Sequence, residues 1–320
     1  MLVSVLAEEL MMVRLQVSNI NLAAVDLLRL LFYQNEGQFL AYTRTDDEVS
    51  LILKRNDINP FKDIANVCIS PMSWLALSLC NDEEVSDGLV SKLLSLLATQ
   101  NYSIFYLSTA TQDYILVKSD QLEEILRCLR ESLTVDIDFN ASSEIDESSR
   151  TTPRSNANNE GLSQVGLDEA SREVKTPSDF EVKLALLPEG FCLHSLSLAE
   201  LDRIMKPLIR VLFIERSKLS FFSFAMVEDQ ISMILDKESA KFFRTYAEID
   251  QKYRWRAFKV LGEWGFSEIG LVNSLSSALS SAGVESPLFL STFSRDFIIV
   301  PSEVEETAKE AFIKAGFMVS

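Results

Sequence analysis

The 320-residue sequence is poorest in the side chains that do most enzymatic work. It has one histidine, His194, set in the strand-like stretch FCLHSLS, where an imidazole satisfied by its neighbours is a plainer reading than a catalytic base. It has four cysteines, Cys68, Cys80, Cys128 and Cys192, none in a C-x-x-C pair and all among apolar residues. That usage predicts buried thiols in a reducing compartment and argues against zinc. No G-x-x-x-x-G-K-[ST] or G-x-G-x-x-G loop is present. No serine or cysteine has a base in a pattern that would activate it. The paired acids Asp46-Asp47 fall at an expected hairpin turn, where solvated carboxylates are common. A non-enzyme without metal or cofactor is therefore expected.

Positive charge is also scarce, with 30 Lys and Arg against 47 Asp and Glu, a formal net charge of −17. Nucleic acid is a poor partner for such a chain, since affinity there comes from Lys and Arg neutralising phosphates. Anionic membrane surfaces are disfavoured for the same reason. No apolar run approaches the roughly 20 residues that span a bilayer. The start, MLVSVLAEELMMV, has no basic n-region, and Glu8-Glu9 interrupt its apolar run, so no signal peptide is expected. The triplets at Asn101 and Asn140 that match a glycosylation site are then chance matches, and the cytosol is the expected compartment.

What the chain does contain is a long internal repeat. LSTATQDYILV (Leu107 to Val117) is nearly the same sentence as LSTFSRDFIIV (Leu290 to Val300). FLAYTRTDDEVSLIL (Phe39 to Leu53) aligns without gaps on FFSFAMVEDQISMIL (Phe221 to Leu235), and GLVSKLLSLLATQ (Gly88 to Gln100) on GLVNSLSSALSSA (Gly270 to Ala282). Trp74-Leu75-Ala76 matches Trp255-Arg256-Ala257. Order and offset are kept together, so one structural unit was duplicated, and any site is expected where the copies meet.

Between the copies the composition changes. Residues 136–180 are rich in Ser, Asn, Asp and Glu and poor in aromatics, and such a segment cannot bury enough apolar surface to offset its ordering entropy. The expected division is a first pair of units over 1–135, a disordered linker over 136–180 and a second pair over 181–320. Each copy reads as two rounds of β-α-β-β-α. Apolar stripes such as LLRLLFY and LVSKLLSLL are expected to be the core faces of helices. Asp120 with Glu123, and Ser302 with Glu305, are predicted capping boxes at the closing helices. The fold class is α+β, with four ferredoxin-like units, each a sheet with helices on one face.

The chain has only ten glycines, and three of them, Gly262, Gly265 and Gly270, stand in LGEWGFSEIGLVNSL just before a predicted helix. Glycine lets backbone approach a ligand, and the helix start suits a carboxylate. Glu268 in the same loop would accept from a cation, so the loop matches a zwitterionic amino acid as well as it matches an ordinary strand-to-helix turn. The second LST segment puts Thr292 at a strand end and Asp296 at the start of the next, where a carboxylate takes a guanidinium or ammonium by charge-assisted hydrogen bonds.

The doubled LST-x3-D-[YF]-I-x-V, SWLALSL at 73–79, FFSF at 221–224 and the loop Gly265 to Val272 resemble the CASTOR family, cytosolic arginine sensors of the TOR pathway built from tandem ACT domains. The resemblance runs through both copies and skips the linker. It implies that L-arginine binds between the second and fourth ACT units, as the ligand of a homodimeric regulator. It assigns Ser103 and Ile104 to the ligand's backbone end and Gly265 and Glu268 to a loop closing over it. It assigns Thr292, Phe293 and Asp296 to the cationic part. It also implies a GATOR-type protein partner, held through a segment that reads Ala110-Thr111-Gln112-Asp113 here, so that Thr111, Gln112 and Asp113 are the partner-binding candidates. Two departures stand out: Arg295 replaces an aromatic residue of the family, and the family's tyrosine is missing from the partner segment. Two other functions fit the same fold. One is a scaffold that binds its partner whatever the arginine level, and the other is an ACT module for a different amino acid.

Overall fold

The structure is a computed structural model that describes residues 2–32, 38–80, 88–133, 136–139, 182–215, 219–244, 254–262 and 269–320. The first copy runs β1 (Leu2–Val5), β2 (Leu10–Gln16), α1 (Ala24–Phe32), β3 (Phe39–Arg44), β4 (Glu48–Lys54), β5 (Cys68–Ile69), β6 (Trp74–Cys80), α2 (Gly88–Thr99), β7 (Ile104–Ser108), β8 (Asp113–Lys118), α3 (Leu122–Ser132) and β9 (Asp136–Phe139). The second runs β10 (Lys183–Leu186), β11 (Cys192–Ser197), α4 (Leu201–Ile209), β12 (Phe222–Val227), β13 (Gln230–Leu235), α5 (Lys237–Phe243), β14 (Trp255–Leu261), α6 (Leu271–Ser281), β15 (Leu288–Ser291), β16 (Asp296–Pro301), α7 (Glu305–Lys314) and β17 (Met318–Val319).

Strand pairing builds two sheets, and both pass through both copies. The smaller has the order β5-β2-β4-β3-β12-β13-β11, with the first and third units joined edge to edge by antiparallel β3 and β12. The larger has the order β9-β1-β6-β8-β7-β15-β16-β14-β10-β17, with the second and fourth units joined edge to edge by β7 and β15. The sheets meet at two corners, where Leu10 faces Trp74 and Phe191 bridges to Trp255, so pairing closes into a circuit.

Period-two alternation sorts the side chains into three cores. Leu40, Tyr42, Leu51, Phe222 and Phe224 face the helices of the first and third units. Leu77, Tyr106, Ile115, Phe258 and Ile298 face those of the second and fourth. Ala41, Ile52, Trp74, Leu107, Leu290 and Phe297 fill the space between the sheets. The result is a helix–sheet–sheet–helix sandwich. Its middle layer holds an edge-to-face aromatic run, with Phe221 packed 5.2 Å from Phe191 and 5.1 Å from Phe297 between ring centres. The stripes of α1 and α2 do face inward, through Leu27 and Leu31 and through Leu93, Leu94 and Leu97. Four units of sheet plus helices answer the expected α+β fold.

Two local expectations need correction. Residues 136–139 were expected to open the linker, but they form β9, which pairs parallel to β1 and packs Ile137 against the helix-side core. The pairing fills the edge of β1 that β6 leaves open, a contact that composition alone does not show; the rest of the linker, 140–180, lies outside the described residues. The capping boxes at Asp120 and Ser302 do not form, because each segment first makes a 3-10 turn and its helix begins without a side-chain cap. The reciprocal capping box occurs instead at Ser197 and Glu200, ahead of α4.

Candidate functional site

The LST repeat is a joint between the copies. Leu107 and Leu290 face each other across the β7–β15 seam, buried between the sheets. Ser291 Oγ accepts from the Tyr106 N–H at 3.1 Å, and Ser108 Oγ accepts from the Phe289 N–H at 2.9 Å, a reciprocal pair about a pseudo-twofold axis. The threonines fold the hairpins that follow. Thr109 Oγ1 accepts from the Gln112 N–H at 3.0 Å, and Thr292 Oγ1 accepts from the Arg295 N–H at 3.1 Å. Each hairpin tip then docks on the opposite sheet, the Ala110 N–H donating to Ser232 Oγ and the Phe293 N–H to Ser50 Oγ, both at 2.9 Å. Serine suits these places because its hydroxyl closes a buried backbone donor without adding bulk.

The seam brings five of the seven ligand candidates to one cleft. Ser103, Ile104, Thr292, Phe293 and Asp296 all line it, together with Arg295 and the start of α6 from Gly270 to Asn273. Ser103 and Thr292 are buried, while Ile104, Phe293 and Asp296 are half-buried. Gly265 and Glu268 lie outside the described residues. Gly270, at φ 78°, turns the chain into α6, a left-handed conformation that favours glycine, and the first turn of that helix presents unpaired N–H groups to the cleft.

Thr292 is a positioning residue here, because its hydroxyl proton is shared between the Arg295 carbonyl at 2.9 Å and Glu48 Oε1 at 3.3 Å. The Arg295 guanidinium donates to the carbonyls of Gly262 and Ser294 and so ties the hairpin to the end of β14. The cleft has a cavity volume of only about 30 Å³. That is water-sized, so an amino acid enters only if Arg295 and its surroundings move.

Sequence reasoning missed Glu48 and Arg14. Glu48, only 6% exposed, accepts from the Ser294 N–H at 3.3 Å and from Ser294 Oγ at 2.7 Å. Arg14 stands 4.0 Å from that carboxylate, donates to Ser294 Oγ and Cys68 Sγ, and stacks its guanidinium 5.5 Å from the centre of the Phe293 ring. The signal was available in the repeat, since the aligned position in the second copy is Gln230 rather than an acid.

The partner candidates lie on the other hairpin. Thr111 is exposed, Gln112 and Asp113 are half-buried, and Gln112 Nε2 donates to Ser78 Oγ. Tyr106 reaches Asp113 with its phenol. Burial, then the Asp113 charge and that hydrogen bond, hold its pKa well above a tyrosine's ordinary value. Tyr102, beside the first cleft, is also raised, by burial and then by Glu124. Among the described residues there is no metal-binding cluster of His, Cys, Asp or Glu, and no helix long and apolar enough to cross a membrane.

An ACT-domain model matches 70–131 and 251–314, the second and fourth units. A model described as cytosolic arginine sensor for mTORC1 subunit 1/2, ACT-like, matches 182–245, the third. The chain is thus a tandem ACT-domain protein, with one domain type repeated in both copies. Within that class it is similar to the arginine sensors its motifs resemble. It is 24% identical over 304 residues to cytosolic arginine sensor for mTORC1 subunit 1 of Homo sapiens, covering 87% of both chains. The Mus musculus protein of the same name is 21% identical over 300 residues, covering 87% of this chain and 86% of its own. Among solved structures, aspartate kinase from Synechocystis aligns over 99% of this chain and 56% of its own, with 10% identity and a TM-score of 0.34.

Proposed function

We propose that this chain is a non-enzymatic, cytosolic amino-acid sensor that binds L-arginine between its second and fourth ACT units and regulates TOR signalling through a GATOR-type partner, as a homodimer. The observation that carries the reading is the seam cleft, which gathers Ser103, Ile104, Thr292, Phe293 and Asp296 from opposite copies. The N-terminus of α6 suits the ligand's carboxylate and Asp296 its guanidinium. Gly265 and Glu268 complete the proposed site, and Thr111, Gln112 and Asp113 the proposed partner surface. A sensor of this kind requires arginine to differ in affinity between partner-bound and free states.

Calorimetric titration of the full chain with L-arginine and L-lysine tests the reading. Saturable binding that prefers the planar guanidinium, weakened about tenfold or more in Asp296→Ala, supports it. Equal binding by wild type and Asp296→Ala refutes it. Arg295 and the small cavity favour one other reading, a scaffold that holds its partner without a ligand. A pull-down of the partner complex that is indifferent to arginine would select that one.

A further inference from the structure

The second LST hairpin is held from outside the cleft that it lines. The described lining residues all belong to the second and fourth units, whereas the clamp belongs to the first. Glu48 on β4 accepts from Thr292 Oγ1 at 3.3 Å, from the Ser294 N–H at 3.3 Å and from Ser294 Oγ at 2.7 Å. Arg14 on β2 stacks its guanidinium 5.5 Å from the centre of the Phe293 ring, and donates to Ser294 Oγ at 3.3 Å and to Cys68 Sγ at 3.0 Å. Ser50, the cross-strand neighbour of Arg14, accepts from the Phe293 N–H at 2.9 Å. Three consecutive hairpin residues are thus fixed by side chains of the first unit.

The same positions in the third unit are neutral. Sheet register sets Ser195 opposite Ser232 as it sets Arg14 opposite Ser50, and Ser197 opposite Gln230 as it sets Gln16 opposite Glu48. Ser195 and Gln230 therefore stand where Arg14 and Glu48 stand in the first unit, and they bond to each other at 3.4 Å in an exposed position. The hairpin docked on the third unit differs in step, with Ala110 for Phe293 and Thr111 for Ser294. Its bond from the Ala110 N–H to Ser232 Oγ is kept. Fastening a hairpin to the opposite sheet therefore needs only the serine. The charged pair, the ring and the extra hydroxyl bonds occur together in one copy, on the hairpin that leads into Asp296.

A guanidinium and an ammonium make different demands on that hairpin. A bidentate carboxylate–guanidinium pair, or a guanidinium laid on a ring, needs a fixed orientation, whereas an ammonium is a point charge that tolerates displacement. A hairpin ordered before a ligand arrives also spares the ligand the cost of ordering it.

We propose that Arg14 and Glu48 are positioning residues of the seam cleft: they fix Thr292, Phe293 and Ser294 from the first unit and so set the cleft's preference for a guanidinium over an ammonium. This role rests on the reading of the cleft as an arginine site, and it adds the first unit as the source of selectivity.

The test is calorimetric titration of the full chain with L-arginine and L-lysine, with amide hydrogen exchange and the Phe293 ring-proton shifts recorded without ligand. Arg14→Ser combined with Glu48→Gln gives the first unit a neutral pair like that of the third. Arg14→Lys keeps the charge without the planar fork, and Ser195→Ala combined with Gln230→Ala is the control in the third unit. The double variant of the first unit is expected to bind arginine about tenfold more weakly and lysine less than about threefold more weakly, to exchange faster at 292–296 and to shift the Phe293 ring signals. Arg14→Lys is expected to fall between it and wild type, and the control to match wild type. An arginine-to-lysine ratio unchanged in the double variant overturns the proposal, because a loss of fold stability alone weakens both ligands alike. If wild type binds neither amino acid, the sensor reading fails and the positioning role is judged without ligand. Faster exchange at 292–296 in the double variant, and not in the control, then supports it, and exchange as in wild type overturns it.

Discussion

Glu48 is the residue on which the copies differ most in consequence, and its removal gives the sharpest test of how the second hairpin is held. In Glu48→Ala the Ser294 N–H loses its acceptor at 3.3 Å in a site that is only 6% exposed. The Ser294 N–H is half-buried, so leaving it unpaired costs about 1 kcal/mol, the low end for a buried donor. The hydrogen bond from Ser294 Oγ at 2.7 Å has a charged acceptor, and its loss adds about 1.5–3 kcal/mol. Thr292 keeps its alternative acceptor, the Arg295 carbonyl, and Arg14 is 42% exposed, so water takes its charge. The expected cost is therefore about 3 kcal/mol. Glu48→Gln keeps one oxygen for Ser294 and is expected to cost only about 1 kcal/mol. The internal control is Gln230→Ala. That amide accepts one exposed hydrogen bond, from Ser195 Oγ at 3.4 Å, and its loss is expected to stay within about 0.5 kcal/mol. Urea unfolding measures all three, and hydrogen exchange at 293–296 locates the loosening. A Glu48→Ala loss below about 1 kcal/mol, or no larger than that of Gln230→Ala, refutes the account of the hairpin.

Ser291→Ala and Ser108→Ala each leave one seam N–H without its acceptor and are expected to cost about 1–3 kcal/mol apiece in urea unfolding; equal stability to wild type would show that the seam serines are not structural. Tyr106 is expected to stay protonated in alkali after the exposed tyrosines have ionised. Its folded pKa lies above the ordinary value of 10.0, so its contribution to stability is complete below pH 10 and is lost as pH rises through the folded value. Absorbance of the phenolate against pH, with Tyr106→Phe as reference, checks this, and a Tyr106 that titrates normally in the folded chain contradicts it. Arg295→Ala removes the tie to Gly262 and opens the first cleft, so any amino-acid binding there is expected to tighten; unchanged binding would show that the guanidinium does not obstruct it.

The units were legible because apolar period and internal repetition are both local. The segments from Phe39 to Leu53 and Phe221 to Leu235 show the same hairpin twice, and the structure gives that hairpin twice. Which edges join was not legible from period two, which says only that alternate residues share a face. A clue lay in β7, whose IFYLS carries no charge or proline of the kind that guards an open edge. Such a strand is expected to be covered, and β15 covers it. The LST motif was read as ligand chemistry because serine, threonine and aspartate are also ligand-binding residues. In the fold, leucine and serine are spent on the joint, while threonine folds each hairpin and lines a cleft together with the aspartate. Glu48 escaped notice beside Asp46-Asp47, since an acid next to a turn reads as solvated until the opposite sheet is in place.

Where the second and fourth units join through their symmetric β7–β15 seam, clefts form as a pair, and a ligand's preference between them is set by what has diverged. The backbone groups at the seam are the same on both sides, so they do not choose. The choice falls to a few positions: Arg295 against Gln112, Glu48 against Gln230, Tyr106 against Phe289 and the added residue near Ser286. In the first cleft these changes lock the hairpin and bring a cation beside Asp296. The second cleft, between the first LST hairpin (Thr109 to Asp113) and the loop from Gly283 to Leu288, keeps a wider space and has no Lys or Arg among its described lining residues. With a cation beside the aspartate of one cleft and none among the described lining of the other, a cationic ligand is expected to discriminate between them even where shape does not, since compensating a carboxylate partner costs more than altering a neutral wall. Asp296, with Arg295 beside it, is therefore the carboxylate whose removal tests for a basic ligand at the seam.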